Sequence, residues 1–311
     1  MPFFSVVIPL YNKENYIKDT LNSVINQSFT DFEVIIVNDG STDSSLSKAK
    51  EISDKRFKIV NQENSGASKA RNKGIELASS SYIVLLDADD TWYDNHLSEL
   101  KKLIDLFPKA GLYCNNYELK FNKQITKAAI FNFNFTKIPL IVSDFFKSSI
   151  INTVAIIGSV AFTKNSFIKL GGFNSELEIA EDLDLWVRFA LNYEIVFNPV
   201  ITMSYNKHVK ESLSKNEINS TRYNFVNYYK KDEIKNNSLK LYLDVNRYAI
   251  ALRCKMNKEK ELYKKLKSEI NYKNLNLKQK ILLNCPNYIL YLIKKTQTYL
   301  LKNNIYLNAH N

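Results

Sequence analysis

Cysteine and long apolar runs are both scarce in this chain of 311 residues, and each shortage excludes a class of protein. The three cysteines are odd in number, widely spaced and without a CxxC motif, which argues against a disulfide scaffold and a cysteine-rich zinc site. No stretch approaches the roughly 18 uninterrupted apolar residues that a membrane span requires. We therefore expect a cytoplasmic protein, either soluble or peripheral on the inner face of the cell membrane.

A secretory signal is also lacking at the start of the sequence. The opening segment reads MPFFSVVIPLYNKENY, with no positively charged region before its apolar run and no small-residue cleavage site. Pro9 and Asn12 end that run early, so we interpret it as a first β-strand. The hydrophobic fraction of 45% is typical of a folded chain, and the length fits one α/β domain with an appendage.

Positive charge is concentrated in the last third of the chain. Residues 1–206 contain 21 Lys and Arg against 24 Asp and Glu, whereas residues 207–311 contain 22 against 8. An anionic partner for the tail is one hypothesis, with nucleic acid, acidic lipid headgroups and a pyrophosphate-bearing ligand as candidates. A solvated helical surface is the alternative.

The first hundred residues alternate between strand and helix patterns. Short apolar runs predict buried strands over residues 4–8, 34–37, 57–60 and 82–86. Helical spacing of apolar residues follows over 16–25 and 97–107. This order predicts a parallel, doubly wound sheet flanked by helices, with ligands at the carboxyl ends of the strands.

The rest of the chain is less regular. Residues 120–160 form an aromatic and β-branched stretch that fits either a strand pair or a lid. We place a domain boundary after residue 214, which leaves 215–311 as a helical, basic C-terminal extension. Near its end, the amphipathic segment YILYLIKKTQTYLLK would either contact an anionic membrane surface or pack on the core.

Three carboxylates follow the fourth predicted strand, in the segment LLDADDTW. Asp87 and Asp89 alternate along the chain, so both would lie on one side and meet one Mn²⁺ or Mg²⁺ ion, which in turn binds phosphate oxygens. The alternative is a turn in which Asp90 caps a helix over residues 91–94. That alternative accounts for one aspartate and not for three.

Other polar residues follow strands or helical starts. Asp39 ends the second strand, where it would either bond a base or ribose or make a local turn before a helix. Arg71 lies shortly after Gly66, near the expected phosphates, with a surface ion pair as its alternative. His208 is either a third metal ligand or a loop histidine.

The segment GGFNSELEIAEDLDLWVRFAL predicts a helix that begins with acidic residues. Glu181 and Asp182 would favour the helix start through the helix dipole, while Leu185, Trp186 and Phe189 pack inward. The functional interpretation makes one carboxylate a general base beside the metal site, with its pKa raised by its neighbour.

Taken in order, six segments resemble the family 2 glycosyltransferases of the GT-A fold: VVIPLYNKE, VIIVNDGSTDSS, NSGASKARNKGI, YIVLLDADD, GGFN and AEDLDLWVR. The resemblance covers about residues 3–210 and implies a GT-A, mostly parallel α/β sheet. It makes Asp87 and Asp89 the DxD metal ligands and Asp182 the catalytic base. The donor-binding set that we predict is Pro9, Tyr11, Glu14, Asp39, Asn64, Gly66, Arg71, Asp87, Ala88 and Asp89.

The resemblance implies metal-dependent, inverting transfer of a sugar from a nucleotide sugar, with a UDP-sugar as the first choice of donor. The acceptor would be a hydroxyl of a glycan or a lipid-linked oligosaccharide. The QxxRW motif and membrane spans of processive family members are both lacking, which favours the addition of a single sugar.

Three other classes compete. LLDADDT fits the DxDxT motif of haloacid dehalogenase-like phosphatases, in which Asp87 and Asp89 would be the reacting pair, but the three preceding strand-helix units with polar loops then go unexplained. A noncatalytic nucleotide-sugar-binding protein would not need Asp182. A nucleic-acid binder would explain the basic tail and nothing else, so we expect no nucleic-acid partner.

Overall fold

A ten-stranded sheet forms the centre of the computed structural model, which describes residues 1–209 and 218–306. The strands are β1 (Phe4–Leu10), β2 (Phe32–Asp39), β3 (Phe57–Gln62), β4 (Tyr82–Leu85), β5 (Thr91–Trp92), β6 (Leu112–Lys120), β7 (Thr126–Ala128), β8 (Leu140–Ile141), β9 (Val160–Thr163) and β10 (Ile195–Asn206). Their order is β3-β2-β1-β4-β9-β6-β10-β5, with β7 paired to β6 and β8 paired to β10.

Helices flank this sheet and then form the C-terminal part of the described chain. The first group is α1 (Ile17–Ile25), α2 (Ser45–Lys50), α3 (Ala67–Leu77), α4 (His96–Leu106), α5 (Phe145–Ser148), α6 (Lys164–Lys169) and α7 (Glu181–Asn192). The second group is α8 (Asn219–Tyr228), α9 (Asp232–Lys235), α10 (Asn237–Met256), α11 (Lys260–Glu269), α12 (Leu277–Asn284) and α13 (Asn287–Lys302).

The four strands predicted from the first hundred residues are confirmed, and they form the parallel half of the sheet. β1 lies between β2 and β4, and β3 lies beyond β2, all in parallel register. Every residue of β2 is buried, as expected for a strand covered on both faces. α3 packs so closely on this half that a Cβ on Gly74 would lie 2.4 Å from Val7 Cγ1.

The other half of the sheet is mixed. β9 is antiparallel to both of its neighbours, β4 and β6, whereas β6 and β10 form a long parallel ladder. The stretch of residues 120–160, for which a strand pair or a lid was expected, contains β7, β8 and α5. β7 closes a hairpin with β6 through antiparallel pairing, so the strand interpretation holds for the start of this stretch.

The helical character of the C-terminal extension is confirmed, whereas the boundary proposed after residue 214 lies outside the described residues. α10 is its central helix, and the fully buried Arg247 on α10 pairs with Glu233 at 2.7 Å and Asp244 at 3.1 Å. The extension also contacts the sheet domain, since the rings of Phe146 on α5 and Tyr242 on α10 lie 5.9 Å apart.

Length and hydropathy decide whether a helix can cross a bilayer. Over residues 1–209 and 218–306, none of the helices combines the length and apolar character that a crossing requires.

Candidate active site

Loops from the carboxyl ends of the parallel strands meet at one edge of the sheet. Asn12 Oδ1, after β1, accepts a hydrogen bond from the backbone N–H of Thr42 at 2.9 Å, and Glu14 Oε2 accepts one from that of Ser44 at 3.1 Å. Asn12 has a φ of 48°, which Asn tolerates better than most residues. The segment that ends β1 and enters this loop carries three predicted donor-binding residues: Pro9, Tyr11 and Glu14.

Asp39 lies at the end of β2, and its buried carboxylate holds the loop that follows β3. Its Oδ1 accepts hydrogen bonds from Gln62 Nε2 at 2.7 Å and from the N–H of Ser65 at 2.9 Å, and its Oδ2 accepts one from the N–H of Gly66 at 2.9 Å. The carboxylate therefore bridges two loops, and the local turn considered from the sequence is not its main contact.

Asn64 lies against the turn that follows β2. Gly40 has a φ of +72°, and a Cβ there would lie 2.9 Å from the backbone nitrogen of Asn64. A residue with a side chain would be both strained and crowded at this position. Asn64 and Gly66 are thus brought to the same edge of the sheet as Asp39.

Asp87 and Asp89 follow β4, and each is paired with a cation of the chain. Arg71 Nη2 lies 2.7 Å from Asp87 Oδ1, and Lys13 Nζ lies 2.7 Å from Asp89 Oδ2. Burial raises the pKa of Asp89, an effect that Lys13 opposes and the charge of Asp87 reinforces. Ala88 between them is buried. The two candidate metal ligands therefore have their negative charge balanced by basic side chains.

Asp90 has a different role from the helix cap considered from the sequence, and that interpretation was wrong. Thr91 and Trp92 form β5, which pairs with β10, and the next helix begins only at His96. The buried Asp90 instead accepts a hydrogen bond from the N–H of Asn206 at 2.8 Å. Burial, with the charges of Asp89 and Asp87, raises its pKa well above the ordinary value.

Arg71 joins the strand-end carboxylates to the first turn of α7. Its Nη1 lies 2.8 Å from Glu181 Oε1, while its Nη2 bonds Asp87. Burial opposes the charge of Arg71, but the two carboxylates outweigh it and raise its pKa. Arg71 therefore forms a buried bridge between two parts of the site, and not the surface ion pair considered as the alternative.

Asp182 follows Glu181 on α7, and its carboxylate makes no ion pair with any residue in the described ranges. Its Oδ1 accepts a hydrogen bond from the N–H of Leu183 at 2.8 Å. Burial, reinforced by the neighbouring charge of Glu181, raises the pKa of Asp182 to about 7. A carboxylate with that pKa is ionised in about half of the molecules at neutral pH and is matched to proton abstraction.

Asp184, two residues after Asp182 on α7, has hydrogen-bond partners that give it a structural role. Tyr229 of the extension donates its hydroxyl to Asp184 Oδ1 at 2.6 Å, and Arg188 Nε donates to Asp184 Oδ2 at 3.0 Å. These bonds tie the first turn of α7 to the extension. Of the three acidic residues at this helix start, Asp182 is the one left without a charged partner among the described residues.

Asp87 and Asp89 are the two carboxylates that could bind a divalent ion at this site. Over residues 1–209 and 218–306, the structure contains no group of three or more His, Cys, Asp and Glu side chains that could hold a metal ion. His208 is therefore not assembled with Asp87 and Asp89. The chemistry still fits, because Mg²⁺ commonly uses one or two protein carboxylates and takes its other ligands from water and substrate phosphates. The buried Nδ1 of His208 has no hydrogen-bond partner in the described structure.

Several residues at this site were missed in the sequence. Lys13 was within a quoted motif, and its position in the loop after β1 was the available signal. Tyr205 and Asn206, at the end of β10, gave no such signal, because 115 or more positions separate them from Asp90 in the sequence. Burial and the charges of Asp90 and Asp87 raise the pKa of Tyr205, and the Asn206 side chain donates to the backbone oxygen of Asp89.

Asp182 is the candidate base, and its ionisation should appear in the pH dependence of catalysis. Because burial raises its pKa to about 7, kcat/KM should fall about tenfold per pH unit below that value. Glu181→Gln should move the midpoint to lower pH, since it removes a neighbouring negative charge that disfavours ionisation. The exposed Glu176→Gln is the matched control. A midpoint that stays fixed in Glu181→Gln would contradict this assignment.

Solved structures share this architecture. The structure of residues 1–349 of TarS from S. aureus in complex with UDP-GlcNAc superposes with a TM-score of 0.66 and 18% identity, covering 87% of this chain and 82% of that one. At this identity the likeness shows the fold, which is that of the GT-A glycosyltransferases.

The sequence comparisons give the family. The model described as "Glycosyl transferase family 2" matches residues 5–165, and the chain belongs to this family. An uncharacterized glycosyltransferase of Haemophilus influenzae is 30% identical over 227 residues, covering 68% of each chain. Membership of this family argues against the haloacid dehalogenase-like phosphatase considered from the sequence.

Other relatives match over shorter segments. GlyA of Streptococcus pneumoniae is 39% identical over 116 residues, which are 36% of this chain and 16% of GlyA. TuaG of Bacillus subtilis is 42% identical over 101 residues, which are 32% of this chain and 40% of TuaG. These matches span well under two thirds of the relatives' own length.

Proposed function

We propose that this glycosyltransferase moves a single sugar from a nucleotide sugar to a hydroxyl of a glycan or lipid-linked acceptor, with inversion at the anomeric carbon. UDP-sugars are the preferred donors, and Mn²⁺ or Mg²⁺ is the cofactor. The reaction serves the synthesis of a cell-surface polysaccharide, a lipooligosaccharide or the glycan of a glycoprotein.

The observation that carries this proposal is the buried Arg71 bridge. It ties Asp87, at the end of β4, to Glu181, which is adjacent to Asp182 on α7. The proposed metal ligand Asp87 and the helix turn that carries the proposed base Asp182 are therefore joined by one buried side chain. A reaction that needs both a bound diphosphate and a base within reach of the acceptor fits this arrangement.

Asp182 acts as the general base in this mechanism. In its ionised form it takes the proton of the acceptor hydroxyl while that oxygen attacks the anomeric carbon of the donor. The bond between the anomeric carbon and the diphosphate oxygen breaks in the same displacement, and its electron pair leaves with the nucleoside diphosphate. An α-linked donor therefore gives a β-linked product.

Asp87 and Asp89 would hold the metal, and its remaining ligands would come from water and the donor phosphates. When bound, the divalent ion supplies positive charge that stabilises the departing diphosphate. Lys13 and Arg71 balance the charge of these carboxylates, and both lie where donor phosphates are expected. Pro9, Tyr11, Glu14 and Asp39 form the side of the site proposed for the base and ribose.

The choice of donor and pathway draws on the relatives. Two of the similar TarS structures are complexes, one with UDP-GlcNAc and one with UDP, which supports a UDP-sugar here. The name of TuaG refers to teichuronic acid biosynthesis, which supports a role in cell-surface polysaccharide synthesis. The protein works in the cytoplasm, and its extension binds the anionic inner face of the membrane.

Metal-dependent nucleotide binding tests this function. UDP with Mn²⁺ should raise the free energy of unfolding by about 2.7 kcal/mol at a UDP concentration of 100 times Kd. Asp89→Ala should abolish this gain, because it removes a ligand of the ion that holds the diphosphate. The measurement is thermal or urea unfolding with and without UDP, Mn²⁺ and Mg²⁺.

Asp105→Ala is the matched control, since Asp105 is an exposed aspartate on α4 paired with Lys101. It should keep the full stabilisation by UDP and metal. The proposal fails if UDP and the other nucleoside diphosphates leave the unfolding curve of the unsubstituted protein unmoved. A gain that persists in Asp89→Ala would overturn the metal assignment alone.

A further inference from the structure

The last part of the chain carries charge of one sign only. Residues 270–311 contain six Lys and no Asp or Glu. The described part of this segment forms α12 and α13, joined through Cys285 and Pro286. A surface built from such a segment attracts anions and repels other basic surfaces within the screening length of the solution.

α13 exposes large apolar side chains beside these lysines. Among its 16 residues Leu290 is the buried one, whereas Tyr288 is 70%, Leu292 63% and Tyr299 66% exposed. Spacings of four and seven residues place these three side chains on one side of the helix. Lys295 follows Leu292 by three residues and Lys302 follows Tyr299 by three, so both lysines lie beside these side chains. We call these five residues the outer face of α13.

We propose that the outer face of α13 binds the surface of an anionic lipid bilayer. Tyr288, Leu292 and Tyr299 enter the boundary between headgroups and acyl chains, where tyrosine is favoured because its ring is apolar and its hydroxyl is polar. Lys295 and Lys302 lie among the negatively charged headgroups. This combination of an apolar side with flanking lysines is typical of helices that lie in the membrane interface.

A lipid surface fits this face better than a second copy of the chain. A copy would bring the same lysines and no carboxylate from residues 270–311, so two outer faces would repel each other. An anionic bilayer supplies both the negative charge and the apolar layer that the face requires.

The position of α13 relates this surface to the active site. The backbone oxygen of Leu301 accepts a hydrogen bond from Asn122 Nδ2 at 3.2 Å, just beyond β6. The last residue of β6, Lys120, accepts a hydrogen bond at its oxygen from the N–H of Lys207 at 2.8 Å. Lys207 follows Asn206, which holds Asp90. The end of α13 therefore lies at the same edge of the sheet as Asp87 and Asp89, the carboxylates proposed to bind the donor through a metal.

Binding through α13 would hold the active edge close to the bilayer. A sugar acceptor carried on a membrane lipid would then meet the site without leaving the membrane, so the lipid-linked class is the acceptor that this geometry favours. The preference for a lipid-linked acceptor rests on the proposed sugar transfer, whereas the binding of α13 to lipid deepens the proposed membrane contact of the extension and does not require that transfer.

Cosedimentation of the full chain with vesicles tests the proposal. The protein should bind vesicles that contain phosphatidylglycerol, should bind phosphatidylcholine vesicles weakly or not at all, and should be released by high salt. The triple variant Tyr288→Ser, Leu292→Ser, Tyr299→Ser and the double variant Lys295→Gln, Lys302→Gln should each lose about tenfold or more in affinity.

Matched controls come from exposed residues on other elements. Leu106→Ser with Ile168→Ser removes apolar side chains that are 61% and 62% exposed, and Lys55→Gln with Lys109→Gln removes two exposed charges. Both controls should keep the affinity of the unsubstituted protein. Stabilisation by UDP and metal should be the same in all variants, which separates failure of the lipid proposal from failure of the proposed function.

Two results would overturn the proposal. One is equal binding of the unsubstituted protein to anionic and neutral vesicles, or binding to neither. The other is unchanged vesicle affinity in the α13 variants. If light scattering shows that these substitutions instead convert a dimer to a monomer, the outer face of α13 binds a second copy of the chain and the lipid proposal is overturned.

Discussion

Asp182→Asn is expected to reduce sugar transfer by about 10²–10⁴-fold while binding of the nucleotide donor persists. Asparagine has nearly the same size and can keep the hydrogen bond that Asp182 Oδ1 accepts from the N–H of Leu183. It cannot take a proton from the acceptor. The effect should therefore fall on kcat, with UDP and metal still stabilising the protein in unfolding measurements.

The two neighbouring carboxylates are poorly placed to replace this base. Glu181 is bonded to the buried Arg71, and Asp184 accepts hydrogen bonds from Tyr229 and Arg188. Using either as a base would break a partly or fully buried ion pair, which costs several kcal/mol. The residual rate in Asp182→Asn should consequently come from donor binding and orientation.

Asp105→Asn provides the control for this substitution, because it makes the same chemical change on an exposed part of α4. Transfer should be unaffected in that variant. If Asp182→Asn transfers sugar at the unsubstituted rate, Asp182 is not the base, and Glu181 or Asp184 takes its place as the candidate. If it loses UDP binding as well, the substitution has disturbed the donor site.

The sequence was sufficient for the parallel half of the fold because local signals agreed with the tertiary structure there. β1, β2, β3 and β4 are apolar, short and followed by polar loops, and parallel strands bring such loops to one edge. The positions of Asp39, Asp87 and Glu14 at that edge followed from this rule alone.

Asp90 shows where local signals failed. An aspartate before Thr91 is typical of a helix start, but pairing of β5 with β10 determined the conformation instead. That pairing involves residues more than 100 positions away in the sequence, so no local pattern indicates it. The same limit concealed Asn206 and Tyr205, which reach the carboxylates only because β10 lies beside β5 and β6.

Arg71 and Lys13 show a second limit. Both are in motifs that pointed to this site, yet the partner of a long basic side chain depends on distances that only the packed structure defines. Arg71 reaches Asp87 and Glu181 because α3 packs on β1 and β2 while α7 begins at the same edge. The sequence predicted phosphate contacts for Arg71 and did not indicate its ion pair with Glu181 on α7.

Arg71→Met is expected to lower the free energy of unfolding by about 3–5 kcal/mol at pH 8, because it leaves Asp87 and Glu181 without their shared cation. Arg71 is 4% exposed, so water replaces its charge poorly. Arg56→Met is the matched control. Arg56 pairs with Asp54 at 2.6 Å, both side chains are partly exposed, and the loss there should be about 0–1 kcal/mol.

The loss in Arg71→Met should also depend on pH in a defined direction. Without the cation, the ionised carboxylates of Asp87, Glu181 and Asp182 repel one another in the folded chain, and this repulsion is relieved when they are protonated at low pH. A carboxyl whose pKa is raised by folding destabilises the fold when it ionises, so stability present at low pH is lost as the pH rises. Asp182 already behaves in this way, since burial raises its pKa to about 7.

Urea unfolding should therefore show a smaller difference between Arg71→Met and the unsubstituted protein at pH 5 than at pH 8. A difference equal to that of Arg56→Met, or one that does not change between the two pH values, would mean that Arg71 is not the cation that holds these carboxylates together.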